Sequence, residues 1–163
     1  MADAQSFREA WGKFPTGVAV VTTIEPDGQV HGMAANGINS VSLDPLLVLV
    51  CVAHTRQSYP LIRQTGRFTI NILNEGQRSI AEYFARPAEE RRGDVEVPFA
   101  FTERGAAVVE GSLASMDCHI VSEHVAGDHS ICIGGVDEIR TSVGQPLVFF
   151  GGSFGGLGQG FGG

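Results

Sequence analysis

From Gly32 to Ala53 the chain reads GMAANGINSVSLDPLLVLVCVA, so small and hydroxylated residues lead directly into an uninterrupted apolar stretch. Leu46 to Ala53 reads as a strand buried on both faces. It is far short of the ~20 residues a helix needs to span a bilayer. The preceding residues have little side-chain bulk, and a backbone of this kind beside hydroxyl groups can lie against a flat, phosphate-bearing ligand. One stretch thus constrains both a β core and the kind of surface at its rim.

The rest of the chain carries the same β signature. Gly17 to Ile24 is rich in Val and Thr, Glu25 to Gly28 holds Pro and Asp-Gly, and Gln29 to Ala35 returns as a partner strand, an opening hairpin. Arg67 to Leu73, Ala107 to Glu110, Ser112 to Glu123, His129 to Arg140 and Leu147 to Phe150 read as further strands separated by turns. Within Leu113 to Ser122, Ala114, Met116, Cys118 and Ile120 share one face, and Asp117 and His119 the other. Three helices are expected. Phe7, Ala10, Trp11 and Phe14 have amphipathic spacing in Ala4 to Lys13, Ser58 to Thr65 has Ser58 as its cap with Pro60 in its first turn and Gly66 at its end, and Gln77 to Phe84 puts Ile80, Ala81 and Phe84 on one side. Charged Ala85 to Pro98 has no apolar period and reads as a mobile loop of the kind that often forms a lid or binding segment. Short strands, tight turns and peripheral helices predict a mainly β protein built on a barrel.

With 163 residues, 43% of them hydrophobic, the chain can bury one sizeable core, and a single domain over 1–163 ending in a glycine-rich tail at 151–163 is expected. The net charge of −7 repels nucleic acid and anionic membranes, and no basic patch beyond Arg91 and Arg92 reverses that field. The start of the chain lacks a basic-then-apolar leader, so a cytoplasmic protein is expected. Cys51, Cys118 and Cys132 form no CxxC pair and sit in apolar contexts, the pattern of buried thiols. The five histidines have no metal-binding spacing, and no bound metal is expected.

Three polar segments break the β pattern. Asn36 to Ser42 could be an ordinary polar loop, or it could supply amide and hydroxyl donors to a ligand. His54-Thr55-Arg56-Gln57-Ser58 combines a guanidinium, hydroxyls and a helix start, which together suit a phosphate monoester; it also reads as a plain helix cap with a solvated arginine. Gly127-Asp128-His129 is a turn before a strand, and it sets an imidazole at the strand's start. Two further matches fail on context. Gly151 to Gly155 satisfies G-x-S-x-G, but no helix pattern, acid and histidine follow it. Gly158 to Gly163 satisfies G-x-G-x-x-G but lacks a strand before it and a βαβ continuation.

Taken together, FPTG at Phe14 to Gly17, the Gly32 to Ala53 stretch, GRFTIN at Gly66 to Asn71 and GDH at Gly127 to His129 resemble the flavin reductase family, in one order from about Phe7 to Phe150. The resemblance implies an FMN-binding split β-barrel of Greek-key type with a few peripheral helices. It implies Ala35, Asn36 and Gly37 beside the flavin ring, Ser40, Val41 and Ser42 at the ribityl and phosphate, and Ala53, His54, Arg56, Gln57 and Ser58 at the phosphate. His129 would stand over the flavin and orient the nicotinamide. The implied activity is reduction of FMN or FAD by NADH or NADPH, in a homodimer that supplies reduced flavin to a separate monooxygenase. The chain departs from the family pattern at Gly37-Ile38, where relatives often carry Ser-Phe, at Tyr59 in place of Thr, and at Ser153, where a basic residue is common. Those departures leave room for a non-catalytic FMN carrier or sensor on the same fold. A split-barrel oxidase acting on a phosphorylated vitamin fits less well, because the GDH motif is present.

Overall fold

The computed structural model describes residues 2–158. In chain order the elements are α1 (Ala4–Trp11), β1 (Thr16–Gly17), β2 (Ala19–Ile24), β3 (Val30–Ala35), β4 (Ile38–Leu43), β5 (Leu46–Ala53), α2 (Ser58–Thr65), β6 (Arg67–Ile72), α3 (Arg78–Ala85), β7 (Phe99–Phe101), β8 (Ala107–Val109), β9 (Ala114–Ala126), β10 (His129–Thr141), β11 (Leu147–Phe150) and β12 (Ser153–Gly156). Single 3-10 turns precede α3 and interrupt the segment after it.

Seven antiparallel strands form the main sheet in the order β3-β2-β6-β9-β10-β5-β4. The inward side chains show that it curls. Met33 from one edge strand and Val48, Val50 and Val52 from β5, next to the other edge, share one cluster with Val21, Phe68, Ile70, Cys118 and Cys132. A flat sheet would hold those strands far apart, whereas a rolled one closes them on a common core. The fold is therefore a split barrel, open between β3 and β4, with Ile62 of α2 plugging the core. Gly134 makes this closure sterically feasible, since a Cβ there would lie 2.5 Å from the Phe68 ring.

A second core covers the outer face of β2: Val18 and Val20 pack with Leu73, Phe84, Val109 and Leu147 beneath α3, β8 and β11. Here Gly32 gives way to a ring, because a Cβ would stand 2.6 Å from Phe84. The β2–β3 hairpin, the three helices and the long strands β9 and β10 lie where the sequence places them. Gly66 closes α2 in the left-handed conformation, φ 65°.

Four expectations change. Asn36–Ser42 is not a polar loop: most of it is edge strand β4, paired to β5 with Val41 as a bulge. β5 is buried on one face only, with Val48, Val50 and Val52 inward and Leu47, Leu49 and Cys51 half-exposed. Ser58 does not cap α2; Gln57 occupies the cap position and makes no side-chain capping bond. Strand β12 forms inside the stretch read as a glycine-rich tail, and it places Ser153 on a hairpin with β11 rather than at a nucleophile elbow. The G-x-G-x-x-G match runs beyond the described residues. The segment after α3 is tied down by Arg86 to Asp94 (3.0 Å) and by Arg91 to the carbonyls of Phe84 and Arg86.

Candidate functional site

An apolar opening of about 590 Å³ lies between the N-terminal segment and the half-exposed face of β5. Trp11, Phe14 and Thr16 form one wall; Gly37, Leu49 and Cys51 form the other. It holds both the FPTG motif and the Asn36-Gly37 step. Gly37 brings the two strands together: its carbonyl accepts from the Cys51 N–H at 2.8 Å, and a Cβ on it would press on the Cys51 Cβ at 3.2 Å. Burial pushes the Cys51 thiol up, so this wall stays uncharged near neutrality. The Thr16 hydroxyl is buried without a hydrogen-bond partner among the described residues. An apolar, aromatic-edged cleft with one unspent polar group suits a flat heterocycle with a polar rim. Thr16 was missed by sequence reasoning, although the FPTG motif pointed to it.

At the end of β5 the chain passes through Ala53 and His54 into α2. Arg56 reaches the Ala85 carbonyl at 3.4 Å, at the C-terminal end of α3. Arg91 lies near it, with its guanidinium 5.0 Å from the Phe84 ring centroid. Burial foremost, with the Arg56 and Arg86 cations adding to it, holds the Arg91 pKa below the usual arginine range. Crowded guanidiniums of this kind favour an anion. Ser58 behaves differently from its expected role: it is 2% exposed, and its hydroxyl bonds the buried His31 Nε2 at 2.9 Å. Its side chain serves the interior, which leaves the backbone of the first helical turn, Arg56 and Gln57 to face a ligand.

The GDH turn closes against this end of the barrel. Gly127 takes φ 65° while Asp128 does not turn positive, the two-residue hairpin pattern with glycine first. His129 is registered opposite Ala53, and the His54 N–H donates to the Asp128 carbonyl at 3.0 Å. The His129 Nδ1 lies 2.7 Å from the Asp128 carboxylate, which that hydrogen bond holds below the usual carboxylate range. The neutral ring therefore donates from Nδ1 and presents Nε2 as an acceptor.

Register also separates what the sequence grouped. Ser40 pairs with Val48 and Ser42 with Leu47, whereas Arg56 lies beyond Ala53 at the other end of β5. Val48 to Ala53 is about 17 Å at the usual rise of a strand. A single phosphate cannot touch both Ser40–Ser42 and Arg56 of one chain. Asn36 and Gly37, beside Cys51, lie between them.

A separate depression of about 270 Å³ includes Thr22, Thr69, Arg67, Arg104 and buried Asp117. None of the expected site residues lines it. Among the described residues no group of three or more His, Cys, Asp or Glu side chains is arranged to hold a metal ion, and no helix is long and apolar enough to cross a membrane.

A rolled barrel with an aromatic cleft, a cationic end and a GDH turn defines the flavin reductase-like class of split barrels, and comparison with known proteins agrees. The sequence profile of the flavin reductase like domain matches residues 11–158, and the chain belongs to that family. An NADH-dependent flavin reductase of Rhodococcus is 42% identical over 149 residues, which cover 90% of this chain and 82% of the relative. The reductase subunit HsaB of a flavin-dependent monooxygenase from Mycobacterium tuberculosis is 34% identical over 158 residues, covering 95% and 83%. The solved structure of the Streptomyces globisporus NADH:FAD oxidoreductase SgcE6, in complex with NAD and FAD fragments, matches with a TM-score of 0.88 at 32% identity, covering 97% of this chain and 94% of that one.

Proposed function

We propose that this protein is an NAD(P)H-dependent flavin reductase that transfers hydride to FMN or FAD. The observation that carries the reading is the aromatic cleft, with its unpaired Thr16 hydroxyl, set against the outer face of the same strand β5 that leads into His54 and Arg56. The flavin ring lies in the cleft beside Ala35, Asn36 and Gly37, and Ser40, Val41 and Ser42 continue the same edge strand beyond the cleft. Ala53 and His54 flank the ribityl chain, and Arg56, Gln57 and the first turn of α2 take the phosphate. A bound flavin supplies the two-electron acceptor chemistry.

The chain's part is positioning and exclusion of water. Hydride transfer needs donor and acceptor held in contact, and no protein group has to exchange a proton in that step. His129, anchored by Asp128, offers Nε2 to an N–H of the nicotinamide carboxamide. The protein works as a homodimer that releases reduced flavin to a separate monooxygenase component in the cytoplasm.

Steady-state nicotinamide oxidation with added FMN or FAD tests the activity. The expected result is a rate that depends on flavin and falls about ten-fold or more in His129→Ala, mainly through KM for the nicotinamide, as loss of an orienting contact requires. No flavin-dependent rate with either nucleotide, from a protein that stays yellow on purification, would point instead to a carrier.

A further inference from the structure

Behind His54 lies a chain of side chains that neither the cleft nor the GDH turn accounts for. The His54 Nε2 is 3.1 Å from the Ser130 hydroxyl, which is 2.8 Å from the Glu123 Oε1. Tyr59 donates to the same oxygen at 2.7 Å, its ring 4.7 Å from that of His54. Arg63 pairs with the other Glu123 oxygen at 3.1 Å. The hydroxyl bonds, first from Tyr59 and then from Ser130, hold Glu123 below the usual carboxylate range, so it is an anion and accepts only.

Proton counting fixes the rest. Tyr59 and Ser130 each own one hydroxyl hydrogen. The Tyr59 oxygen is a second acceptor within reach of Ser130, but at 3.3 Å it is neutral and farther than the charged carboxylate at 2.8 Å, and the carboxylate takes both hydrogens. If Ser130 turned its hydrogen to His54, two oxygens would face each other at 2.8 Å without a proton between them. Ser130 is fully buried, so water cannot repair the loss. The His54 Nε2 must carry the hydrogen. Its Nδ1 has no partner among the described residues and is not among the buried unpaired atoms.

We propose that Glu123 and Ser130 are positioning residues that lock His54 as the Nε2–H tautomer, so that Nδ1 presents a lone pair to a hydroxyl donor of the bound flavin's ribityl chain. The ligand contact rests on the flavin reading above; the tautomer does not. Tyr59 completes the device by filling the second acceptor position of the same oxygen, which gives its hydroxyl an internal role in place of a phosphate contact.

The test is NMR of the ring nitrogens of His54 in isotope-labelled, flavin-free protein at a pH above the histidine titration. The expected spectrum has protonated Nε2 and a bare Nδ1; the reverse would overturn the proposal. Tyr59→Phe should leave the tautomer unchanged. In Tyr59→Phe/Glu123→Ala, Ser130 has no acceptor left but His54, so the tautomer should invert, and persistence of Nε2–H would refute the role of Glu123. Ser130→Ala should mix the tautomers and weaken FMN binding about five-fold, the worth of one neutral hydrogen bond, with no change for a flavin that lacks the ribityl chain. Equal weakening for both ligands, or for neither, would refute the ligand contact. Failure of the native protein to take up any flavin would remove the cofactor reading together with that contact and still leave the tautomer decided by the spectra.

Discussion

Arg67 shows how much one side chain can hold in a small barrel. Its Nη2 is 2.8 Å from Asp117 and 2.9 Å from Asp137. Asp137 is the extra residue of a β-bulge in β10, and the bulge aims its carboxylate at Arg67, His119 and Arg104. Asp117 is 2% exposed, and its second oxygen has no partner, so its charge depends on Arg67. Removing one partner of a buried pair strands the other charge, at a cost of several kcal/mol. Arg67→Ala should therefore lower unfolding free energy by about 3 kcal/mol in denaturant melts, and by less in Arg67→Ala/Asp117→Asn, where no charge is stranded. Equal losses in the two variants would show that Arg67 acts through packing alone. Asp117 and His119 could be assigned to one face from strand alternation, because that is local information. Their shared partners were not legible: Arg67 lies fifty positions upstream of Asp117, and a bulge that shifts register leaves no mark in a hydrophobic pattern.

Between elements, the junction of β3 and α2 is a polar contact inside an apolar shell. His31 is 5% exposed and bridges Ser58 on α2 and Glu25 at the end of β2. Burial, joined by the Arg91 cation, holds the His31 pKa below its ordinary value of 6.5, and Glu25 opposes them without prevailing. The folded state thus resists a proton that the unfolded chain accepts near pH 6.5, so stability is full above that value and is lost as pH falls below it. Melts at roughly pH 7.5 and 5.5 should show a loss that is smaller in His31→Gln; an unchanged loss would clear His31. Elements were legible where their signals were local. Gly66 ends α2 because only glycine takes that conformation cheaply. Ser58 misled because a serine at a helix start reads as a cap, and only the three-dimensional approach of His31 turns it inward. β4 misled because an edge strand is free to be polar on its exposed face, and its composition is then that of a loop. β5 read as buried on both faces because both its faces are apolar; the outer one lines the cleft.

At the scale of the whole molecule, apolar surface is left over. α1 is capped by Asp3 and Ser6 in a reciprocal box, yet it buries none of its own residues. Phe7 is 67% exposed, and Trp11 and Phe14 are each 59% exposed. Eight residues are too few for a helix to hold in water on its own, and a stacked Phe7–Trp11 pair facing solvent has no solubility rationale. Trp11 and Phe14 also wall the cleft, so whatever covers α1 also borders the proposed flavin cleft. A second copy of the chain fits that need, because a two-fold interface covers the same patch on both partners at once. Sedimentation at micromolar concentration should give the mass of two chains. Phe7→Ser/Trp11→Ser should shift that mass to one chain and weaken FMN binding in step, since one surface serves both ends. A native protein that sediments as a single chain would refute the dimer. A double variant that stays dimeric while losing FMN would place α1 in the site but not in the interface.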